Sequence, residues 1–276
     1  MYGKSWFLML ALAGTAWSAE ADRSFQAVRA DGPIGLDGKL DEPVWRKALA
    51  FDQFYIQGTG EPGFPTEAKL LYDDDALYIG FRCPTPPGGA VTARETKRDG
   101  KVYSDDCVEI MIDPNKTGDR YFHILVNPNG AIMDRFCDQG GHVGDAKWNG
   151  DIKARAVQGD GFWSVEVRVP FSTLDIIPGA GRDWGFNFCR DQRKPNQEAS
   201  AAGGEFNVAG RFLTVQGIDI PLERYGWETS PPTVETRRDG AKIKADLSTR
   251  ISNLAAQPQS VRIDHALIGP GGAAVA

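Results

Sequence analysis

Apolar and polar residues alternate along most of the chain, which is the pattern of short β-strands with one buried face. Alternation with a two-residue period is clearest in residues 108–112, 162–169 and 184–190. Turns rich in Asp, Asn, Pro and Gly separate such segments, and residues 73–76 and 113–119 have the length of hairpin loops. The pattern therefore predicts an all-β fold, an antiparallel β-sandwich.

The same alternation divides each strand into a buried face and a polar face. Val108, Ile110 and Ile112 share one face, whereas Glu109 lies on the other. Trp163 lies on the same face of its strand as three valines, so we expect it in the core. A polar face that recurs on several strands predicts either a solvated sheet surface or a concave surface for a ligand.

The first residues of the chain have the pattern of a secretory signal. Lys4 precedes an apolar run at residues 6–13 that is too short to span a bilayer, and small residues follow. We predict a signal peptide over residues 1–19, cleaved near Ser18 or Ala19, with an uncleaved membrane anchor as the alternative. Cleavage would leave no inserted segment, and it would place the protein outside the cell, in the periplasm or on the cell surface.

The rest of the chain is predicted to contain one large domain and a short C-terminal part. Residues 24–226 carry the strand pattern of the β-sandwich, and residues 227–240, with two adjacent prolines, are predicted to be a linker. Residues 241–276 alternate again, like the first strands of an Ig-like β domain. About 40 residues do not bury a sandwich core unaided, so we expect a truncated domain of a longer multidomain chain. The alternative is a strand pair that docks on the first domain.

Composition excludes one class of partner and leaves the cysteines open. The 276-residue chain has a net charge of −6, and no run of Lys or Arg offers the basic face that a nucleic acid requires. The four cysteines are Cys83, Cys107, Cys137 and Cys189. They form no C-x-x-C motif, and an exported chain permits either disulfides or buried free thiols.

Six short motifs follow one another along the sandwich segment. The first is Leu-Asp-Gly-Lys-Leu-Asp-Glu-Pro-Val-Trp at residues 36–45, and the third is Ser-Asp-Asp-Cys-Val-Glu-Ile-Met-Ile-Asp at residues 104–113. The others lie at residues 71–79, 162–170, 184–190 and 210–213. In this order they resemble the family 9 carbohydrate-binding modules, over about residues 33–216. The resemblance implies a non-catalytic, sugar-binding β-sandwich, although the same superfamily also contains haem-binding domains.

The resemblance also implies a site with two aromatic rings around a sugar and polar side chains at its hydroxyl groups. Tyr103 falls where the family has its first stacking Trp, and Glu109 falls at the hydroxyl-binding Glu six residues later. His123 lies roughly where the family has an Arg. The second stacking Trp has no counterpart, because residues 198–205 contain no aromatic residue before Phe206.

Three further residues complete the predicted sugar-binding set. Trp148, on a Gly-rich stretch, is our conjecture for the second ring and does not come from the family. Asp105 and Asn187 are predicted polar contacts to hydroxyl groups. For Asp105 and Glu109 the alternative is a salt bridge across strands, for example to Arg190 or Arg168. For the aromatic residues it is packing on the edge of a sheet.

No cofactor is required by this prediction, and metal binding is left open. Residues 113–119 loosely resemble a calcium loop, but position 12 would be Ile124, where such loops have a bidentate Glu. The Asp-rich turns are compatible with a structural calcium ion, which the family resemblance implies. A weaker hypothesis is that Glu109 and Glu166 form a catalytic pair for glycoside cleavage, since carboxylates on sheet faces are common.

The sequence thus predicts an exported module that binds a polysaccharide or oligosaccharide and is not itself an enzyme. Its role would be to hold a glycoside hydrolase near its substrate, with glucose- or xylose-type glycans as the family default. One alternative is a structural spacer in a larger surface enzyme. The other is a haem-binding electron-transfer domain, with axial ligands from Met111, Met133 or His123. We expect a monomer or part of a longer chain.

Overall fold

The computed structural model describes residues 24–86, 91–177, 182–221, 224–229, 233–240, 242–253 and 258. Within these ranges the strands are β1 (Ser24–Gln26), β2 (Leu49–Phe51), β3 (Tyr55–Ile56), β4 (Glu67–Tyr72), β5 (Ala76–Pro84), β6 (Cys107–Asp113), β7 (Tyr121–Val126), β8 (Ile132–Asp138), β9 (Val143–Asp145), β10 (Lys153–Gly159), β11 (Phe162–Pro170), β12 (Trp184–Arg193), β13 (Asn196–Ser200), β14 (Leu213–Gln216), β15 (Trp227–Thr229), β16 (Thr233–Asp239), β17 (Lys242–Ser248) and β18 (Ile251–Asn253). Short 3-10 helices lie at Pro43–Arg46, Val102–Ser104, Gln139–Gly141, Phe171–Thr173 and Ala209–Arg211. The predicted signal peptide lies outside the described residues.

Two large sheets form the sandwich. The nine-stranded sheet has the order β1-β14-β12-β6-β7-β8-β9, with β13 paired to β12 and β3 paired to β13. The five-stranded sheet has the order β10-β11-β5-β4-β2. Neighbouring strands run antiparallel except for β1 and β14, which are parallel. The predicted antiparallel β-sandwich is therefore confirmed.

The core lies between the two sheets and contains the apolar faces that alternation predicts. Val108, Ile110 and Ile112 of β6 are fully buried in one cluster with Trp163 of β11. Alternate residues of β12 add three stacked rings, Trp184, Phe186 and Phe188. Each fully buried side chain of this size contributes about 2 kcal/mol by leaving water. Since a register shift of one residue would expose all of them, the core fixes which residues point away from it.

The Asp-Gly turn before Trp45 is held by one buried carboxylate. Glu166 of β11 accepts from the backbone N–H groups of Asp37 and Gly38 at 2.8 and 2.7 Å, and from Trp45 Nε1 at 2.9 Å. Gly38 has φ of +86°, and a Cβ there would lie 2.9 Å from the carbonyl oxygen of Arg155. Glycine is therefore required at this position. Trp45 is 1% exposed, so the motif at residues 36–45 serves the fold.

The four cysteines are free thiols in the structure, and all are buried. Of the two alternatives that the sequence leaves open, disulfides and free thiols, the structure therefore supports the second. Cys83 lies in the main core, and burial raises the pKa of its thiol to about 12. Cys137 and Cys189 lie in a smaller cluster on the other side of the nine-stranded sheet.

Beyond the sandwich, the described residues form two small sheets. β15 pairs with β18, and β16 pairs with β17 in a largely exposed hairpin. β15 and β16 lie in residues 227–240, where the sequence predicts a linker; they are strands because later residues supply hydrogen-bonding partners. The Ig-like domain stays a prediction, since residues 259–276 lie outside the described residues. No helix among the described residues has the length and apolar character needed to cross a bilayer.

Replacing Glu166 by Gln should lower the free energy of unfolding by about 2 kcal/mol. An amide has one acceptor oxygen, and its NH₂ group would face an N–H donor that Glu166 now satisfies. Urea unfolding monitored by tryptophan fluorescence measures the change. Glu61→Gln is the matched control, because Glu61 is exposed. Equal stability of the two variants would contradict the role given to Glu166.

The native protein should react slowly with a thiol reagent and give four thiols once it is unfolded. All four sulfur atoms are buried, and none belongs to a disulfide, so the reagent reaches them only when the fold opens. Titration with Ellman's reagent, with and without urea and without reductant, measures both numbers. Two thiols or none in urea would show that disulfides form.

Candidate functional site

A pocket of about 370 Å³ opens on the face of the nine-stranded sheet that points away from the core. Its lining residues are Gln57, Tyr103, Glu109, His123, Leu125, Met133, Arg135, Asp191, Glu198, Phe206 and Asn207. They come from four adjacent strands, β12, β6, β7 and β8, and from the segments around them. The pocket combines aromatic, apolar and ionisable side chains, and its volume falls in the range of small-ligand sites.

Cross-strand register brings a chain of polar side chains to the centre of this pocket. His123 of β7 is paired with Arg135 of β8 and lies diagonally from Glu109 of β6. Glu109 Oε2 and His123 Nε2 are 2.5 Å apart. Arg135 donates to His123 Nδ1 from Nε at 3.0 Å and lies within 2.8 Å of it through Nη2. The three side chains therefore form one hydrogen-bonded row across three strands.

The contacts of His123 fix its tautomer and the charge on Glu109. Because Arg135 donates to Nδ1, the ring proton lies on Nε2 and is donated to the Glu109 carboxylate. Burial raises the pKa of Glu109, but His123 and Arg135 outweigh it and hold that pKa below its ordinary value of 4.5. Glu109 is therefore an ionised acceptor in the pocket.

A second carboxyl group, Asp191 of β12, was not among the predicted site residues. Its Oδ2 accepts from Arg193 Nη2 at 2.7 Å and lies 3.7 Å from the Cys107 thiol, while Oδ1 is buried without a hydrogen-bond partner. Burial and the charge of Glu109 raise the pKa of Asp191 to about 8. The sequence did contain a sign of this position, because two-residue alternation along β12 places Asp191 on the same face as Asn187.

Two aromatic side chains line the pocket. Tyr103, in the 3-10 helix Val102–Ser104, is half exposed, and its carbonyl oxygen accepts from Arg193 Nη2 at 2.5 Å. Phe206 is 6% exposed and packs in a cluster with Met111 and Tyr121. Phe206 thus supplies a ring after the segment 198–205, where the sequence showed no counterpart of the second family Trp.

Three of the six predicted site residues line the pocket, namely Tyr103, Glu109 and His123. Asp105 does not, because it is buried and accepts from Arg94 N, Glu95 N and Asn127 Nδ2 at 2.9, 2.8 and 2.9 Å. Its hydrogen bonds hold the loop before β6 in place.

Asn187 and Trp148 also lie outside the pocket lining. Asn187 is 1% exposed; it donates to the carbonyl oxygen of Phe206 at 3.2 Å and accepts from Ala202 N at 3.1 Å. It therefore shapes the loop that carries Phe206. The Trp148 ring packs against Phe122, with centroids 4.9 Å apart, and Phe122 belongs to the sandwich core. The conjecture that Trp148 forms the second ring of this pocket is thus not supported by its position.

Arg190, the predicted salt-bridge alternative, does not contact the carboxylates of the pocket. It points to the other face of β12 and donates to the carbonyl oxygens of Pro65 and Pro84 at 2.9 and 2.6 Å. Glu109 is paired with His123 instead. In the strand register Arg190 pairs with Val108 and Cys189 pairs with Glu109, so Arg190 lies on the face of the sheet opposite to Glu109.

Among the described residues, one group of sulfur and oxygen atoms is close enough together to suggest a metal ion. Cys107, Glu109 and Asp191 each place a donor atom within 4.8 Å of the others. Arg193 and His123 already supply positive charge or N–H donors to the two acids, so we do not assign a metal ion to the group. The structural calcium ion stays a prediction.

Comparison with known proteins identifies the family. A model described as carbohydrate family 9 binding domain-like matches residues 36–203, which include the motif at residues 36–45 and β6 to β13. The chain belongs to this family. The resemblance noted from six motifs, to a family of carbohydrate-binding β-sandwiches, is thereby confirmed.

Individual relatives agree with this assignment. Endo-1,4-beta-xylanase C of Paenibacillus barcinonensis is 31% identical over 85 residues, which are 31% of this chain and only 7% of the xylanase. A candidate carbohydrate-binding protein of Bacteroides uniformis has a TM-score of 0.56 at 14% identity, over 71% of this chain and 99% of that chain.

A family 9 module of Caldicellulosiruptor kristjanssonii is similar in two complexes. With cellotriose the TM-score is 0.50 at 18% identity, over 70% of this chain and 92% of that chain. With glucose it is 0.51 at 17% identity, over 72% of this chain and 99% of that chain. At these identities the similarity shows a shared fold.

Replacing Glu109 by Gln should destabilise the protein by about 3 kcal/mol near neutral pH, because it breaks a buried, charge-assisted pair. The lowered pKa of Glu109 means that this stabilisation is present above the unfolded-state pKa near 4.5 and is lost as the pH falls through the lower folded-state pKa. The stability difference between wild type and Glu109→Gln should therefore shrink in acid.

Urea unfolding from pH 7 to pH 3 measures this difference, and Glu205→Gln is the control because Glu205 is exposed. A difference that is constant over the whole pH range would show that Glu109 is not held as a carboxylate by His123.

Proposed function

We propose that the pocket around Glu109 binds a carbohydrate, and that the chain acts as a non-catalytic binding module of an exported protein. The observation that supports this most directly is the convergence of an exposed ring, Tyr103, with a fixed carboxylate and a fixed guanidinium, Glu109 and Arg135, in one pocket. Family membership and the carbohydrate complexes of the similar modules support the same ligand class.

The chemistry of a sugar matches this lining. The C–H face of a pyranose ring is apolar and packs on a flat aromatic ring, so a half-exposed Tyr103 offers a platform. Sugar hydroxyl groups lose water on binding and need fixed partners in return. Glu109 accepts from hydroxyl groups, and Arg135 donates with the N–H groups that His123 leaves free. Phe206, Leu125 and Met133 complete the apolar part of the lining.

The arrangement of carboxylates favours binding over cleavage. Glu166 lies on β11 of the other sheet and is completely buried beneath the Gly38 turn, so it does not form a catalytic pair with Glu109. Glu109 and Asp191 lie side by side at the base of the pocket, with one oxygen of each within 4.8 Å of the other, whereas the two acids of a glycosidase flank the bond that they cleave. A binding role needs neither a gap for a glycosidic bond nor a water between the acids.

The two alternative functions are less well supported. A haem needs axial ligands with free lone pairs, yet both ring nitrogens of His123 are occupied by Glu109 and Arg135. Met111 is fully buried in the cluster behind the pocket. A spacer domain does not require an open pocket beside an exposed ring, which is what Tyr103 provides.

The module would act beside a glycoside hydrolase. The xylanase similarity covers a small part of a much longer enzyme, which is the relation expected of a binding module attached to a catalytic domain. Glucose- and xylose-type glycans are the ligands to try first. Export follows from this role and from the predicted signal peptide, because such polysaccharides lie outside the cell.

Tyr103→Ala should weaken sugar binding about tenfold, since loss of one stacking contact costs about 1.4 kcal/mol. Isothermal calorimetry against a panel of glucose, cello-oligosaccharides, xylo-oligosaccharides and neutral controls gives the affinities. Tyr103→Phe should bind almost as well as wild type, because it keeps the ring. Trp148→Phe is the matched control, since Trp148 packs on Phe122 outside the pocket.

Absence of binding across the panel would overturn the proposed function. Equal affinities for wild type and Tyr103→Ala would show that the sugar binds elsewhere. A larger loss for Trp148→Phe than for Tyr103→Ala would restore the conjecture about Trp148 and contradict the pocket.

A further inference from the structure

Two carboxyl groups meet at the base of the pocket. Glu109 of β6 and Asp191 of β12 lie on adjacent strands, and one oxygen of each lies within 4.8 Å of the other. The residues are 7% and 4% exposed, and both nevertheless line the pocket. A ligand that enters the pocket therefore meets the two carboxyl groups together.

The two carboxyl groups have unequal partners. Glu109 has His123 at 2.5 Å, backed by Arg135. Asp191 Oδ2 accepts from Arg193 at 2.7 Å, whereas Asp191 Oδ1 is buried with no hydrogen-bond donor. A buried carboxylate oxygen without a donor costs about 1–3 kcal/mol, so the ionised form of Asp191 is disfavoured where it stands.

Other ionisable groups near the pair do not supply the missing donor. Cys107 offers its thiol to Asp191 Oδ2, at 3.7 Å. Glu198 of β13 adds negative charge at the rim and lies 3.6 Å from Arg193. Cys137 of β8 interacts with His123. Tyr103 reaches the pocket from the 3-10 helix that precedes β6.

A single proton, held by one of the two carboxyl groups, resolves the imbalance. When two buried carboxyl groups lie this close together, the charge of one raises the pKa of the other. His123 and Arg135 keep Glu109 ionised, so the proton lies on Asp191. Protonation turns Asp191 from a second acceptor into an O–H donor.

We propose that Glu109 and Asp191 bind the ligand as an ionised acceptor beside a protonated donor, which makes Asp191 a specificity-determining residue of the pocket. The inference rests on the proposed function, because a sugar hydroxyl is a group that both accepts and donates a hydrogen bond. Such a hydroxyl accepts from Asp191 and donates to Glu109. Once Asp191 loses its proton, the pair offers this hydroxyl two negative acceptors, and the hydrogen bond that it accepts from Asp191 is lost.

The expected signature is an affinity that falls at alkaline pH. Burial, and after it the charge of Glu109, raises the pKa of Asp191 to about 8. If only the protonated form binds, the apparent Kd rises about tenfold between pH 7 and pH 9. The best-binding neutral sugar of the panel serves as the probe, because it carries no ionisable group of its own in this range.

Calorimetry of wild type, Asp191→Asn and Cys137→Ser from pH 6 to pH 9 tests the proposal. The amide of Asp191→Asn does not titrate. The affinity of this variant for the sugar should therefore stay constant from pH 6 to pH 9, whatever its value at pH 6. Cys137→Ser is the control because the Cys137 thiol is a second ionisable group near the pocket. Burial raises the pKa of this thiol, but His123 outweighs burial and holds that pKa below its ordinary value. Its pH profile should match wild type.

A second measurement does not depend on any variant. Wild-type binding at pH 9, measured in two buffers of different ionisation enthalpy, should show uptake of close to one proton per sugar bound. The proton comes from the buffer and is held by Asp191 in the complex.

The outcomes separate this inference from the proposed function. Binding that is independent of pH, with no proton uptake, overturns the inference and leaves the proposed function standing. A pH dependence that persists in Asp191→Asn, or that disappears in Cys137→Ser, also overturns it. Failure to bind any sugar at any pH overturns both.

Discussion

The register between β12, β6, β7 and β8 is the constraint on which the pocket depends. The core faces of these strands carry large apolar side chains, such as Ile110, Ile124 and Phe188, which must all point inward. Once they do, Glu109, His123 and Arg135 have to meet on the opposite face. The polar row in the pocket is thus set by hydrophobic burial on the other side of the same sheet.

Two buried glutamates have different surroundings: Glu166 is tied into the fold, whereas Glu109 lines the candidate site. Glu166 accepts from three N–H donors and ties the Gly38 turn to β11. Glu109 has one close side-chain partner and a neighbouring acid, Asp191, whose Oδ1 has no donor. Satisfied buried acids belong to structure, while incompletely satisfied ones that face a pocket are expected where a ligand supplies the missing partner.

Much of the fold was predictable because it depends on short-range patterns. Two-residue alternation placed Val108 and Trp163 in the core, and the order of six motifs gave the family. Of the site, Tyr103, Glu109 and His123 were predictable because the family resemblance carries them. The strands β15 and β16 were missed because their pairing partners lie later in the chain, where the pattern was interpreted as a separate domain.

The other predicted residues, and the pocket residues that were not predicted, depend on contacts between distant segments. One sequence does not show such contacts. Asp105 has the right residue type, but backbone N–H groups of the preceding loop occupy it. Trp148 has the right ring, but Phe122 of the core covers it. Asp191 and Phe206 reach the pocket only through the pairing of β12 with β6 and the loop after β13, so alternation gave the face of Asp191 but not its neighbours.

The proposed function depends on sugar binding at the face of β12, β6, β7 and β8. An ¹H–¹⁵N NMR titration with the sugars of the panel tests it most directly, since it locates the ligand without a substitution. We expect shifts to concentrate on the amides of Tyr103, His123, Asp191 and Phe206, and the amide of Gly150, beside Trp148, to stay unaffected. Shifts that cluster around Trp148, or on the outer face of the five-stranded sheet, would contradict it.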